Sequence, residues 1–148
     1  MYKRKAHVLF LCTGNSCRSQ MAEGYANSIG REYVLAKSAG IVAHGKNPRA
    51  ISVMEDDGVN ISDQESTVVS PELLEWADLV VSVCGHADEN CPALPNHVRK
   101  KHWPLNDPAK AVGSEESVMA CFYQIRDEIK SRVMSLVNGM KMLEKSDL

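Results

Sequence analysis

Five cysteines, Cys12, Cys17, Cys84, Cys91 and Cys121, stand in a chain of 148 residues. An odd number cannot pair completely within one chain, and at least three of these have neighbours that call for chemistry. Cys12 opens the run Cys12-Thr13-Gly14-Asn15-Ser16-Cys17-Arg18-Ser19. Gly14 lets the backbone turn tightly and Asn15 tolerates left-handed dihedrals, so successive N–H groups can converge on an anion. Arg18 adds a planar fork matched to two oxygens of a tetrahedral oxyanion. The same positive potential favours a thiolate on Cys12, and Ser19 can donate its hydroxyl hydrogen to that sulfur. The result is a nucleophile aimed at the centre of a bound oxyanion. A bare Cys-x5-Arg arises often by chance. The apolar run before it, the internal Gly-Asn, the trailing Ser and the amphipathic stretch after it separate it from a buried cysteine beside a solvent-facing arginine.

Three further positions, Asp107, Cys84 and Cys91, have candidate roles. Asn106-Asp107-Pro108 is by itself an ordinary turn, yet an Asp on a loop above an oxyanion site could protonate a leaving oxygen. Cys84 closes an apolar run, and Cys91 follows in Gly85-His86-Ala87-Asp88-Glu89-Asn90-Cys91-Pro92, a polar, mobile segment. These two thiols could end as a disulfide, or serve as core filler and a loop residue. With His86 and His97 they could also bind zinc, although the spacing departs from the usual Cys-x2–4-Cys pairs. Cys17 reads as part of the loop, and Cys121, beside Phe122, as packing. His7, His44 and His102 show no partner pattern.

The elements that must position these residues alternate between short apolar runs and amphipathic stretches, the pattern of a parallel sheet with crossover helices. Ala6 to Cys12 reads as a buried strand and Ser19 to Ile29 as a helix closed by Gly30, with Met21, Ala22, Tyr25, Ala26 and Ile29 on one face. Tyr33 to Ser38 is a second strand, ending at Ala39-Gly40. A helix starts at Asn47-Pro48 and stops at Gly58, and a shorter one has Ser70 as N-cap and runs to Trp76. Asp78 to Cys84 is the clearest buried strand, and His97 to Trp103 is basic enough for a sheet edge. The last helix spans Ser114 to Met140 and is expected to fray after Gly139. The reading is a three-layer α/β fold with about four parallel strands, one domain over 1–148.

Composition narrows the function. A net charge of −2 argues against a general nucleic-acid binder. No apolar run approaches the ~20 residues of a membrane helix. Basic Met1 to Lys5 precedes Val8-Leu9-Phe10-Leu11, but that stretch is too short for a signal peptide and meets no small-residue cleavage site. A cytoplasmic protein is expected.

The run Val8-Leu9-Phe10-Leu11-Cys12-Thr13-Gly14-Asn15-Ser16-Cys17-Arg18-Ser19 resembles the phosphate loop of low-molecular-weight protein tyrosine phosphatases. Gln20-Met21-Ala22-Glu23-Gly24 is closer to the thioredoxin-coupled arsenate reductases built on the same fold, since the typical phosphatase has Pro where Gln20 stands. Both families carry an Asp-Pro in the region of Asp107-Pro108, which implies that Asp107 is the general acid. Phosphatases usually follow that pair with an aromatic residue, whereas this chain has Ala109.

The reductase resemblance covers nearly the whole chain and maps three redox cysteines onto Cys12, Cys84 and Cys91. It implies arsenate as substrate, with phosphate and sulfate as oxyanion analogues held by Thr13, Gly14, Asn15, Ser16, Cys17, Arg18 and Ser19. It implies a relay from Cys12 to Cys84 to Cys91 and regeneration by thioredoxin; no cofactor and a monomer are expected. Asn15, Glu23 and Ser38 form a candidate polar cluster behind the loop. Some relatives hold potassium there with an acidic residue, but this chain offers Thr67, and no metal is assigned. The alternative is a phosphatase working through a Cys12 phosphoenzyme, with a non-catalytic oxyanion-binding or redox-sensing protein third.

Overall fold

Val8, Leu9, Phe10 and Leu11 are all fully buried, so the first strand carries no alternation of polar and apolar residues. A central parallel strand covered on both faces reads this way. The computed structural model describes residues 4–146. It runs β1 (Ala6–Cys12), α1 (Arg18–Ile29), β2 (Val34–Gly40), α2 (Pro48–Asp56), α3 (Pro71–Trp76), β3 (Leu79–Ser82), α4 (Gly85–Glu89), β4 (Arg99–His102), a 3-10 turn (Pro108–Lys110) and α5 (Glu115–Ser146).

The four strands form one sheet in the order β2-β1-β3-β4, and every neighbouring pair is parallel. Cys12 lies opposite Gly40 and Leu11 opposite Ser82. The chain leaves β1 toward β2 on one side and leaves β3 toward β4 on the other. The carboxyl ends of β1 and β3 therefore flank a topological switch point, where open parallel sheets form a crevice. β4 takes the outer edge, as its charge predicts, with Arg99, Lys100, Lys101 and His102 all exposed. Charged side chains on an edge oppose pairing with another sheet.

α1 packs against α5 and α2, whereas α3 and α4 pack against β1. The β1–β2 and β3–β4 crossovers run in opposite directions along the sheet, so right-handed connections send α1 and α4 to opposite faces, giving three layers. The buried apolar residues form one continuous core. The predicted caps are present: Asn47 accepts the Arg49 N–H, Ser70 accepts the Leu73 N–H, and Pro48 and Pro71 fill the first helical turns. Among the described residues no helix is long and apolar enough to cross a membrane.

The structure corrects three expectations. α5 does not fray at Gly139 but continues to Ser146. Val133 and Val137 are buried and Met140 packs on the core, which outweighs the roughly 1 kcal/mol that a glycine costs within a helix. Ile29 does not share the buried face of α1; it is exposed at the helix end. The segment after Cys84 begins as α4 where the sequence reading has no helix.

Candidate active site

The loop from Cys12 to Arg18 takes its shape from the chain that follows β2. The N–H groups of Ile41, Val42, His44 and Asn47 donate to the carbonyls of Cys12, Thr13, Gly14 and Ser16. In a trans peptide the N–H points opposite to the preceding carbonyl. With those carbonyls tied to the 41–47 segment, the N–H groups of Thr13, Gly14, Asn15 and Cys17 turn the other way. One of them, Asn15 N–H, donates to Cys12 Sγ at 3.2 Å. Asn15 adopts φ 49, the left-handed conformation that short polar side chains tolerate. Two glycines make the close approach possible. A Cβ on Gly40 would lie 2.2 Å from the Val42 carbonyl oxygen, and one on Gly14 would lie 2.4 Å from the His44 ring.

Cys12 Sγ and Ser19 Oγ are 2.8 Å apart. Asn15 Nδ2 donates to Ser19 Oγ at 2.8 Å, so the serine hydroxyl hydrogen is left to point at the sulfur. Two donors thus converge on Cys12 from a loop and the first turn of a helix, whose dipole adds to the same positive field. Arg18 is largely buried. Its Nη1 donates to the Leu105 carbonyl at 2.9 Å and more weakly to that of Val83 at 3.4 Å. Its Nη2 lies 3.6 Å from Asp107 Oδ2. The guanidinium is therefore fixed by main-chain atoms that follow β4 and β3. Asp107 caps the 3-10 turn, its Oδ1 accepting the Ala109 N–H at 3.0 Å.

Cys12, Thr13, Gly14, Ser16, Cys17, Arg18 and Asp107 line one cavity of about 270 Å³, together with His44 and Ala109. That volume suits a small anion. Cys84 does not line it but is buried behind one of its walls, with Sγ 3.2 Å from Thr13 Oγ1. Cys91 is not brought to the cavity. It lies beyond α4, half-buried against the core, and burial pushes its thiol above the ordinary range. Cys17 is buried, and this pushes its thiol up to about 12. Such a group stays protonated and does not serve as a nucleophile. Cys121 lies against a separate cavity with Asn106, Asp107 and Pro108.

The model of the family described as "Low molecular weight phosphotyrosine protein phosphatase" matches residues 7–147. The chain belongs to that family. Its relatives include the arsenate reductase of Bacillus licheniformis, 51% identical over 87% of this chain and 93% of the relative. The arsenate reductase of Halalkalibacterium halodurans is 51% identical over 93% of this chain and 99% of the relative. A solved structure described as an arsenate reductase in the phosphate binding state superposes with a TM-score of 0.74 at 31% identity, covering 91% of this chain and 98% of that one.

Within the phosphatase family fold, several loop-supporting residues escape a reading of spacing alone. Gln20 is fully buried, and its Nε2 donates to the Asn15 main-chain carbonyl at 3.1 Å and to the Glu65 carbonyl at 2.9 Å. Gln64 Nε2 donates to Gln20 Oε1 at 2.8 Å, and the Thr67 N–H donates to Asn15 Oδ1 at 2.8 Å. The Gln64–Thr67 segment thus clamps the back of the loop. The polar cluster expected from Asn15, Glu23 and Ser38 is divided. Ser38 Oγ donates to Glu23 Oε1 at 2.6 Å, while Asn15 turns to Ser19, Gln20 and Thr67. Burial raises the Glu23 carboxyl above its ordinary range. The only sequence signal for the clamp is Gln20 standing where a phosphatase has Pro.

Proposed function

We infer that this chain reduces arsenate to arsenite, with Cys12 as nucleophile and Cys84 as the second thiol. The observation that carries the reading is the Cys84 thiol in contact with Thr13, the residue next to Cys12 and part of the wall of an oxyanion-sized cavity. Hydrolysis of a phosphate ester has no use for a thiol there. The relatives named arsenate reductase, at about half identity over most of the chain, support the same substrate.

The loop N–H groups and Arg18 hold the arsenate oxygens. The Cys12 thiolate attacks arsenic, and Asp107 gives a proton to the departing oxygen, which leaves as water and leaves a sulfur–arsenic bond. Cys84 then attacks Cys12 Sγ. The electron pair of the sulfur–arsenic bond departs with arsenic as arsenite, and the two sulfurs are left as a disulfide. Cys91 next attacks Cys84, forming Cys84–Cys91 and freeing Cys12. Thioredoxin reduces this last disulfide. Every group needed up to the Cys84–Cys91 disulfide comes from one chain, so a monomer of one domain suffices, and we place it in the cytoplasm, where that reductant keeps thiols reduced.

The second reading is phosphate ester hydrolysis through a Cys12 phosphoenzyme, favoured by the family model itself. The first chemical step is common to both. The deciding experiment follows arsenate-dependent NADPH consumption with thioredoxin and its reductase, run beside a glutaredoxin–glutathione system. Sustained consumption with thioredoxin is expected. Aryl phosphate hydrolysis with no arsenate-driven oxidation of the protein would hand the function to the second reading.

A further inference from the structure

α4 is five residues long, shorter than a helix that holds itself in water, so it persists through what it touches. At its start Cys84 Sγ accepts the Ala87 N–H at 3.3 Å, and Ala87 is fully buried. At its other end Asp88 is held by three residues of β3 and β4. Lys100 Nζ lies 2.8 Å from Asp88 Oδ1 and also donates to the Asp88 main-chain carbonyl at 3.0 Å. Ser82 Oγ donates to the same carboxylate oxygen at 2.9 Å. His102 Nδ1 bonds Ser82 Oγ at 2.8 Å and lies 3.9 Å from Asp88 Oδ1. Lys100, with help from Ser82, holds the Asp88 carboxyl below its usual range.

This helix separates the two thiols that the relay must join. From the cap Cys84 to the cap Asn90 the chain takes six helical steps, a rise of about 9 Å, and Cys91 lies one residue further on, whereas a disulfide needs its Cα atoms within roughly 7 Å. α4 must therefore unwind before Cys91 can reach Cys84. The inference rests on the relay reading above. In that step the Cys91 thiolate attacks Cys84 of the Cys12–Cys84 disulfide, the bond to Cys12 breaks, and Cys12 leaves as thiolate. One disulfide replaces another with no net gain or loss of electrons. Bonding to Cys12 commits the Cys84 sulfur to the loop, which leaves Asp88 as the polar tether at the far end of α4.

We propose that Asp88 is a positioning residue for this second exchange: with Ser82, Lys100 and His102 it forms a latch that keeps α4 wound in the dithiol state and must open before Cys91 attacks. Asp88 touches none of the reacting atoms. It acts by setting how readily the helix gives way.

The test is the equilibrium between the dithiol and the Cys84–Cys91 disulfide in the full chain, set in glutathione redox buffers and read by mass spectrometry after alkylation. Asp88→Asn removes one half of the ion pair and Lys100→Met the other. Lys100 lies on an exposed edge strand, so its variant keeps the test available should Asp88→Asn fold poorly. Opening the latch destabilises only the dithiol state. Each variant is expected to favour the disulfide by about fivefold over the parent and to release Cys12 faster in a single arsenate turnover. A melting temperature that falls while this equilibrium stays at the parent value marks a merely structural role and overturns the proposal. Opposite shifts in the two variants also overturn it, since they mark charge acting on the Cys91 thiol. A parent that forms no Cys84–Cys91 disulfide with arsenate refutes the relay and the latch together. A parent that forms it while both variants titrate with the parent leaves the relay standing and removes the latch alone.

Discussion

The Thr13 hydroxyl and the Cys84 thiol meet at 3.2 Å across 71 residues of sequence. One follows Cys12 on the loop between β1 and α1, and the other caps the helix that separates it from Cys91. The contact sets the Cys84 thiol against the residue that follows Cys12, and the roles proposed for the two thiols are separable by mutation. Cys84→Ser is expected to block arsenite release while leaving aryl phosphate hydrolysis within about twofold, because water can resolve a phosphoenzyme without a second thiol. Cys91→Ser is expected to turn over once and stall. Peptide mapping after arsenate treatment should find Cys84–Cys91 in the parent and Cys12–Cys84 in Cys91→Ser. Repeated thioredoxin-driven turnover by both variants would exclude the relay.

Cys12→Ser removes the nucleophile common to both readings, and arsenate reduction and phosphatase activity should fall together below detection. Arg18→Lys is expected to cost about a hundredfold or more in kcat/KM. A point charge cannot replace the two-oxygen fork, and the bond to the Leu105 carbonyl that fixes the guanidinium is lost as well. Steady-state kinetics with arsenate measure it. An unchanged kcat/KM would refute oxyanion binding by this arginine.

Asn15 carries backbone conformation and side-chain bonding at once, and two substitutions separate them. Asn15→Gly keeps the left-handed φ of 49 easy but loses the side chain that accepts the Thr67 N–H and donates to Ser19. Asn15→Ala loses the same bonds and adds about 1–2 kcal/mol of backbone strain. Leaving a buried N–H unbonded costs about 1–3 kcal/mol. Urea unfolding should therefore rank the parent above Asn15→Gly and Asn15→Ala lowest. If glycine and alanine prove equal, the strained turn contributes nothing to the stability of the loop.

Burial raises the Cys17 thiol to about 12, and this makes the fold sensitive to alkali. Above the ordinary thiol range the unfolded chain has lost the Cys17 proton and the folded chain still holds it. The folded state then binds more protons, so stability falls as pH rises through that window toward about 12. Below the ordinary thiol range both states keep the proton, and the effect vanishes. Thermal melts at pH 7 and pH 10 should show a smaller alkaline loss in Cys17→Ala than in the parent. Equal losses would mean that the Cys17 proton does not couple to folding.

The local patterns were open to reading in one dimension. A short unbroken apolar run with charge before it and Gly just behind it reads as a strand covered on both faces, and β1 is that strand. Ser70-Pro71 and Asn47-Pro48 announce helix starts because caps bond within three residues. The basic residues of β4 place it at an edge because charge there keeps water and repels pairing. In the same way Gly14 and Asn15 announce the tight turn between β1 and α1, since the left-handed φ of Asn15 is encoded within one short run.

What the tertiary structure alone decides is everything held by contacts between distant segments. The 41–47 segment takes the loop carbonyls and so aims the loop N–H groups, yet nothing in that run marks it for the task. Gln20 and Gln64 become a clamp only when Glu65 and Thr67 arrive behind the loop. α4 lacks the length to appear as a helical pattern and exists because Ala87 is buried and Asp88 is tied to Lys100 and Ser82. Helix caps and turns rest on bonds between near neighbours, which spacing reveals. Clamps and latches rest on bonds that form only once the sheet has brought the carboxyl ends of β1 and β3 together, and residue spacing along one strand carries no record of that distance.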